Sequence, residues 1–316
     1  MRLTRTTTMV VIGCLGAVWL GAATAPAAAP IKVHCPVDNL QAAIDSAPAG
    51  AVIHVAGTCT GNFTIAKDLT LVGTGAATLN GNFAGRVVYI PDGTAAATTI
   101  TLQNLTFTNG NINACACGPY GPGIYNGGAN LTVKGSTITN NTGSPVNYGA
   151  GIYSYGTLLV KNSTITANGP AVNGAGIAND GVATIVNSTI SGNIGDGGNG
   201  AGITSFGSSL TVTGSTVSGN TGAGSGAAIY AGDGTVSIDS STLTNNNALE
   251  YGGGIFVADN TVVSLTGSTV NSNTAGIDGG GIYVALAGTI SLTSSTVTNN
   301  LPDNCAPSGA VGGCSG

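Results

Sequence analysis

A six-residue pattern, Ser-Thr-aliphatic-x-x-Asn, recurs about every 26 residues along this chain. The intervals between successive copies are 27, 25, 27, 26, 27 and 27 residues, and a second pattern, Gly-x-x-Ile, keeps the same interval. The copies begin at Ser136, Ser163, Ser188, Ser215, Ser241, Ser268 and Ser295. Self-similarity at a fixed period is the signature of a repeat architecture. The chain is therefore predicted to consist of equivalent turns that stack on one another.

Three positions in each repeat are branched or apolar in nearly every copy. Counted from the repeated Ser as position 0, they are −5, −3 and +2, which in the first copy are Leu131, Val133 and Ile138. A spacing of two is the period of a β-strand, and branched side chains suit a pleated surface. We predict three short strands per repeat, around Gly-x-x-Ile-Tyr, at −5 to −3, and at 0 to +3.

One repeat cannot bury its own aliphatic residues, whereas stacked turns bury them in continuous columns. The expected fold is therefore all-β, a single parallel β-helix (solenoid) of about 9–11 turns with strands ~4.8 Å apart. The Asn at +5 is expected at a sharp bend, because Asn tolerates left-handed backbone, and its amide is expected to bond along the column. The Gly three residues before each Ile is expected at a tight corner.

Both ends of such a solenoid need covering, because open sheet edges invite aggregation. Residues 40–45 follow Asn39, a good helix N-cap, and predict a short N-terminal capping helix. The predicted division of the chain is a signal peptide at 1–29, an N-terminal cap and first turn at 30–60, β-helix repeats at 61–300, and a C-terminal cap or tail at 301–316.

The N-terminus has the pattern of an export signal. Arg2 and Arg5 precede an apolar run over residues 9–20, and residues 23–29 offer small-residue cleavage sites. No other segment reaches the ~18 apolar residues of a membrane span. We therefore expect a secreted, extracellular protein without a membrane span.

Charged side chains are few, and most are acidic. The chain has 12 acidic and 7 basic residues, for a net charge of −5, and no basic residue follows Lys161. Binding to nucleic acid needs cations that neutralise phosphates, so a nucleic-acid partner is excluded. No cofactor is predicted. No metal site is predicted either, because the only histidines are His34 and His54, far from the cysteines Cys115 and Cys117.

Six cysteines follow the predicted signal peptide, and an even number in an exported chain favours disulfides. The pairs expected are local, Cys35 with Cys59 and Cys305 with Cys314. The other two cysteines, close together at 115 and 117, are expected either to form a short strained loop or to stay reduced.

Residues 39–50, 53–55 and 68–73 together resemble the opening turns of the pectin-lyase-like right-handed β-helix superfamily. The repeats resemble those of polymorphic outer-membrane proteins, with Gly-Ala-Gly-Ile at 149–152 and Ile-x-x-Asn at 165–168 in place of Gly-Gly-Ala-Ile and Phe-x-x-Asn. The resemblance implies a right-handed solenoid over the whole mature chain. It implies no single activity, because this fold carries lyases, hydrolases, esterases, adhesins and passive surface proteins.

The catalytic sequence motifs of the superfamily's enzymes are absent here. The Asn-Thr-Asp, Gly-His-Gly and Arg-Ile-Lys segments of polygalacturonases do not occur, and Arg86 is the only Arg after the signal. Lys134 and Lys161 share position −2 in consecutive turns, so one of them could serve a lyase as the base. Alternatively, both are simply solvated lysines.

Two ladders of outward side chains are candidates for binding. The residue after each repeat Ile is often aromatic and could stack on sugar rings, although aromatics also simply pair well along a sheet. The candidate ligand-binding residues are Tyr125, Tyr153, Tyr230, Phe256 and Tyr283. The second ladder, Thr-x-Thr at +1 and +3, resembles the ice-contacting face of ice-binding solenoids, although exposed strand positions favour Thr in any case.

The leading hypothesis is a secreted, non-catalytic β-helix protein that binds polysaccharide, or another extracellular polymer, along one strand face. Whether the protein is an enzyme stays open. The absence of the superfamily's catalytic motifs favours a binding role. A polysaccharide lyase is the enzymatic alternative, and an ice-binding protein is the third hypothesis. The sequence determines neither the ligand nor the oligomeric state.

Overall fold

The computed structural model describes residues 30–115, 117–143, 148–207 and 209–314. It is a parallel β-solenoid of about nine turns with one α-helix, Leu40–Ser46, near its N-terminus. The predicted all-β solenoid with a short N-terminal helix is thereby confirmed. The predicted signal peptide lies outside the described residues.

One side of the solenoid, the long-strand face, is built from the strands that precede each repeated Ser. Its strands alternate buried and outward side chains, because their aliphatic residues recur at every second position. They are Ile31–His34, Ala51–Thr60, Leu69–Asn80, Thr99–Gln103, Asn130–Lys134, Thr157–Lys161, Val182–Val186, Ser209–Thr213, Thr235–Asp239, Val262–Thr266 and Thr289–Thr293.

The second side, the Thr face, follows each repeated Ser. The ends of Ala51–Thr60 and Leu69–Asn80 already belong to it, because Thr58 pairs with Thr78 and Thr78 with Thr106. Its other strands are Thr106–Thr108, Thr137–Thr139, Thr164–Thr166, Thr189–Ser191, Thr216–Ser218, Thr242–Thr244, Thr269–Asn271 and Thr296–Thr298.

The third side, the Tyr face, is a ten-stranded sheet built around the Gly-x-x-Ile pattern. Its strands are Phe63–Thr64, Val88–Ile90, Ile124–Asn126, Ile152–Ser154, Ile177–Asn179, Ile203–Ser205, Ile229–Ala231, Ile255–Val257, Ile282–Val284 and Cys305–Ala306.

A fourth, five-stranded sheet lies between the Thr face and the Tyr face, and the repeat pattern did not predict it. Its strands are Ala171–Asn173, Gly195–Asn199, Thr221–Ser225, Asn247–Tyr251 and Thr274–Ala275. In the turn after Thr106–Thr108 this corner instead holds the short 3₁₀ helix Ile112–Ala114.

Equivalent repeat positions pair directly between neighbouring turns. Val133 pairs with Val160, and Val160 with Ile185, in parallel register. In every repeat before the last, the side chains of this column and of the column at +2 are fully buried inside the solenoid. The predicted aliphatic columns are therefore the hydrophobic core, and the register of one turn sets the register of the next.

Two left-handed residues flank each Thr-face strand. In the first repeat they are Gly135 (φ 57°) and Asn140 (φ 54°), at positions −1 and +4, and the next repeat uses Asn162 and Ala167 in the same way. The expectation that the Asn at +5 takes this conformation is wrong, because the bend occurs one residue earlier. The bend at +4 instead turns the +5 side chain into the interior.

The inward Asn side chains form a continuous ladder of hydrogen bonds along the solenoid. The Oδ1 atom of Asn193 accepts from the backbone N and the Nδ2 of Asn168, both at 3.1 Å. Its Nδ2 donates to the Ile165 carbonyl at 3.1 Å and to Asn220 Oδ1 at 2.9 Å. The predicted bonding along this column is confirmed, and Asn304 continues it beyond Asn300.

The repeated Ser forms a second buried ladder at the other end of the Thr-face strand. The backbone N of Ser163 donates to Ser188 Oγ, and that of Ser188 to Ser215 Oγ, both at 3.1 Å. Each Ser Oγ also donates to the carbonyl two residues earlier, as Ser188 does to Val186 at 2.8 Å. From Thr106–Thr108 to Thr269–Asn271, the two polar ladders therefore fix both ends of each Thr-face strand to the next turn.

The ends of the solenoid are covered differently. At the N-terminus, Asn39 caps the helix by accepting from Ala42 N at 3.0 Å, and the helix buries Leu40 and Ile44 against the first turns. At the C-terminus, the strand Cys305–Ala306 pairs with Ile282–Val284, and Val311 is buried at the end of the core. Within the described residues, the long-strand edge of the last turn stays open.

We predict that Asn193→Ala lowers the free energy of unfolding by about 2–4 kcal/mol, because it removes the acceptor of the buried backbone N–H of Asn168 and the side-chain donor to the buried carbonyl of Ile165. Thermal and urea unfolding would measure the loss. Ser237→Ala, at an exposed strand position, is the matched control and is expected to change stability by less than ~0.5 kcal/mol. Equal effects from the two variants would contradict a structural role for the ladder.

Candidate functional site

The residues that follow each repeat Ile lie in one column on the outside of the Tyr face. Tyr125 pairs with Tyr153, and Phe256 pairs with Tyr283, so the structure aligns the predicted aromatic residues in register. Ala178 and Thr204 interrupt the column. The candidate ligand-binding residues therefore form two separate groups, one in the earlier turns and one in the later turns.

The earlier group is a tyrosine cluster, composed of Tyr89, Tyr120, Tyr125, Tyr148, Tyr153 and Tyr155. Its central rings are stacked, since those of Tyr125 and Tyr153 are 5.7 Å apart with an interplanar angle of 7°. Tyr120 packs against Tyr153 at 4.6 Å, and Tyr155 meets Tyr153 edge-on at 4.9 Å. Such tyrosine pairs stabilise the outer side of the sheet by more than the burial of their surface area alone would give.

The two central tyrosines of this cluster are too deeply buried to stack on a ligand. Tyr125 is 4 % exposed and Tyr153 1 %, so neither ring offers its face to a ligand. Both rings lie on the outer side of the sheet, as expected, but they are not open to solvent, because the rings of Tyr120 and Tyr155 pack over them. Tyr155, at 46 % exposure, is the most exposed member of the cluster.

Each buried phenol is hydrogen-bonded to a carboxylate from an adjacent turn. The Tyr125 hydroxyl donates to Asp92 Oδ1, and the Tyr153 hydroxyl donates to Asp180 Oδ2. Burial raises the pKa of both phenols well above the usual value, and the neighbouring carboxylates raise each pKa further. Both tyrosines are therefore neutral hydrogen-bond donors rather than acid–base groups at ordinary pH.

Arg86 closes one side of the cluster, a role that the sequence did not predict. Its guanidinium lies 5.2 Å from the Tyr89 ring centroid and 4.8 Å from that of Tyr125. Its Nε donates to the Tyr120 carbonyl at 2.7 Å, and its Nη2 donates to the Cys117 carbonyl. Burial lowers the pKa of Arg86, and the nearby Tyr125, Tyr89 and Asp92 offset part of that effect.

These residues surround an open depression, the tyrosine groove, of about 390 Å³. It is lined by Arg86, Tyr89, Asp92, Cys117, Gly118, Tyr120, Tyr125 and Tyr155. The groove combines aromatic rings with a guanidinium and a carboxylate of opposite charge. Within the described residues no hydrogen bond occupies the Nη1 of Arg86, which leaves that donor for a bound molecule.

The later aromatic group is a straight stack. The rings of Tyr230 and Phe256 are 5.0 Å apart and inclined by 3°, and those of Phe256 and Tyr283 are 5.3 Å apart and inclined by 10°. Rings stacked at this distance cover one another's faces, so that mainly their edges point to solvent. Phe206, at 39 % exposure, packs edge-on against Tyr230 beside the stack.

The Thr face presents a longer hydroxyl ladder than the repeat pattern indicated. At position +1 the column begins at Thr58, Thr78 and Thr106 and continues through every repeat to Thr296. Side chains at +2 are buried, and those at +1 and +3 lie outward. Ice binding through this face stays a prediction.

The lyase candidates lie away from the groove. Lys134 and Lys161 pair directly with each other on the long-strand face, and both are exposed. Among the residues that the structure describes, no hydrogen bond, ion pair or cation–π contact joins either ammonium group to another side chain. A catalytic role for either lysine stays a prediction.

Disulfides join Cys35 to Cys59 and Cys305 to Cys314, the two pairs expected, and a third joins Cys115 to Cys117 beside the tyrosine groove. Across the described ranges, no three His, Cys, Asp or Glu side chains come together in a way that would hold a metal ion. In the same ranges, no helix has the length and apolar character needed to cross a bilayer.

Comparison with protein families gives one match, to the family described as the right-handed β-helix region. Two overlapping matches cover residues 77–242 and 126–301, which is most of the chain. The chain belongs to this family. Its resemblance to the pectin-lyase-like β-helix superfamily is thereby confirmed, and with it the right-handed solenoid.

Comparison with solved structures finds a pectate lyase, Pel9A, at a TM-score of 0.43 and 16 % sequence identity. The similarity covers 85 % of this chain and 72 % of the lyase, and it is too distant to bear on activity. No curated protein matches the chain.

We predict that Tyr125 and Tyr153 do not ionise in the folded protein below about pH 11, because burial and the two carboxylates favour the neutral phenol. Their raised folded-state pKa contributes stability that is present below the unfolded value of about 10 and is lost as the pH rises above it. Absorbance titration of tyrosinate would measure this in the folded and the denatured protein.

The variant Tyr153→Phe supplies the control within one experiment. In denaturant, where all 9 tyrosines titrate, it should lower the amplitude by one tyrosine. In the folded state below about pH 11 it should leave the amplitude unchanged. A loss of amplitude in the folded state as well would show that the phenol is accessible and that the cluster is open.

Proposed function

We propose that this protein is a secreted, non-catalytic β-helix protein that binds an extracellular polysaccharide in the tyrosine groove. The observation that carries the proposal is the composition of that groove. Aromatic rings, a guanidinium and a carboxylate border one open space of about 390 Å³, and the exposed ring of Tyr155 stands at its side. Binding sites of this kind pair apolar ring surfaces with a few polar groups that fix orientation.

The residues that line the groove are chemically complementary to a sugar, because each pyranose ring has apolar C–H faces and a rim of hydroxyls. The ring of Tyr155 offers a surface for a C–H face, and Asp92 and the Nη1 of Arg86 offer an acceptor and a donor for hydroxyls. The opposite charges of Arg86 and Asp92 roughly cancel within the groove. We therefore favour an uncharged sugar over a uronate as the residue bound there.

The groups in the groove are held in ways that favour binding over catalysis. Asp92 accepts the hydrogen bond of Tyr125, and Arg86 is tied to main-chain carbonyls of the loop that contains Cys117. A general acid or base needs a pKa near the working pH and a free path to the substrate. The pKa of Tyr125 shifts away from the working pH, because burial and the hydrogen bond to Asp92 raise it.

Secretion is supported by the cysteines and the N-terminal sequence. Disulfides persist in oxidising compartments, and this chain has two local pairs near the ends of the solenoid, Cys35–Cys59 and Cys305–Cys314. Residues 1–29 have the basic, apolar and small-residue order of an export signal. Both features favour a location outside the cell.

We predict that Tyr155→Ala weakens retention on the polysaccharide that binds the unmodified protein by about fivefold or more, because truncating a central aromatic contact costs ~1 kcal/mol or more. A glycan array on the mature protein would first identify the ligand, and affinity gel electrophoresis would then compare the variants. Leu286→Ala is the matched control, since Leu286 is a fully exposed apolar side chain outside the groove.

Two results would contradict the proposal. If Tyr155→Ala and Leu286→Ala both bind as the unmodified protein does, the groove is not the binding site. If the array shows no glycan binding at all, the polysaccharide function itself is wrong. Thermal unfolding of Tyr155→Ala checks that any loss of binding does not come from loss of the fold.

A further inference from the structure

The last turn of the solenoid has an open edge on its long-strand side. Thr289–Thr293 pairs with Val262–Thr266, and Thr296–Thr298 pairs with Thr269–Asn271. Neither of these strands has a second neighbour within the described residues. Their outer N–H and C=O groups therefore form an unpaired ladder of the kind that accepts another strand.

The core is also incompletely covered at this edge. Ile290, Leu292 and Val297 are partly exposed, whereas the equivalent Val263 and Leu265 one turn earlier are 1 % and 0 % exposed. The C-terminal tail buries Val311 at the end of the core and adds its strand to the Tyr face. It leaves the long-strand edge without a partner.

The two ends of the solenoid differ in how they discourage pairing. At the N-terminal end, the strand Ile31–His34 carries exposed Lys32 and His34, and the helix Leu40–Ser46 packs nearby. Charged side chains on an edge strand prevent further pairing. The strands of the last turn contain no charged residue, no proline and no bulge.

The sequence of the open strand is self-complementary. Thr-Ile-Ser-Leu-Thr, Thr289–Thr293, reads almost the same in both directions. In an antiparallel pair centred on Ser291, Thr289 would meet Thr293, and Ile290 would meet Leu292 on the core side. The chain as a whole is acidic, with a net charge of −5, but the two surfaces that would meet at this strand are uncharged.

We propose that this edge pairs with the same edge of a second copy, so that two molecules form a tail-to-tail dimer through antiparallel Thr289–Thr293 strands. The contact continues the strand-to-strand stacking that already joins every turn to the next. The tail around Val311 occupies the middle of this end, so the pairing is confined to the long-strand edge. A contact of this size forms a weak, reversible dimer, with a dissociation constant on the order of 10 µM to 1 mM.

Sedimentation velocity of the full chain, from about 10 µM to 1 mM, tests the proposal. The unmodified protein is expected to shift from monomer towards dimer over this range. Ser291→Lys should weaken the association by roughly fivefold or more, because the two lysines would lie directly opposite each other. Ser264→Lys is the matched control, since Ser264 is the direct neighbour of Ser291 in the interior of the same face, and it should leave association unchanged.

A mixture of variants separates pairing at this strand from a general effect of charge. Ser291→Asp alone should also associate more weakly than the unmodified protein, whereas an equimolar mixture of Ser291→Lys and Ser291→Asp should recover the dimer, because opposite charges then face each other. A strictly monomeric unmodified protein at 1 mM overturns the proposal, as does a dimer that Ser291→Lys leaves intact. Loss of association by Ser264→Lys to the same extent would also overturn it.

Discussion

The buried Asn ladder is the interaction on which the rest of this structure depends. Asn193 both accepts from the turn before it and donates to the turn after it, and the same is true of its equivalents along the column. The hydrophobic columns alone exclude a slip of two residues less strictly than a slip of one, because a two-residue slip again stacks one aliphatic side chain on another. An amide shifted by one residue would leave buried polar groups without partners, which costs more than the lost contact itself. The ladder therefore fixes the register that the aliphatic core only favours.

Fixed register is what assembles the tyrosine groove. Arg86 and Tyr155 are distant in sequence, and they line the same groove because their turns stack with little offset. The rings of the tyrosine cluster then cover one another, and two of its hydroxyls donate hydrogen bonds to Asp92 and Asp180. A surface made in this way is rigid, since the strands beneath it are paired on both sides. Rigidity lowers the entropy lost on binding, which suits a protein that recognises a polymer.

The solenoid could be predicted from the sequence because its cause is periodic. Aliphatic residues at −5, −3 and +2 are repeated seven times, and no other packing buries them all. Features set by a single turn were harder to predict. The left-handed residue at +4 is Asn, Ala, Gly or Ser in different turns, so the composition of that column did not reveal its conformation.

The site was predicted only in part, for a related reason. The aromatic column was visible in the repeat, but the burial of Tyr125 and Tyr153 depends on Tyr120, Tyr148 and Tyr155, which lie outside that column. Arg86 precedes the regular repeats, and its role comes from carbonyls of the irregular loop around Cys117. One signal was available in the sequence: Arg86 is the only Arg after residue 29 and lies three residues before a Tyr.

Deleting one whole turn tests most directly whether register between turns holds the molecule together. Removal of residues 188–214 brings Ser215 into the place of Ser188 and lets Asn220 meet Asn168, so both polar ladders are restored. That protein should stay folded and unfold cooperatively, with a melting temperature only slightly reduced. Removal of residues 188–200 breaks both ladders and should abolish cooperative unfolding. If the two deletions proved equally stable, or if the whole-turn deletion failed to fold while the shorter one folded, the account of stacked and registered turns would be wrong.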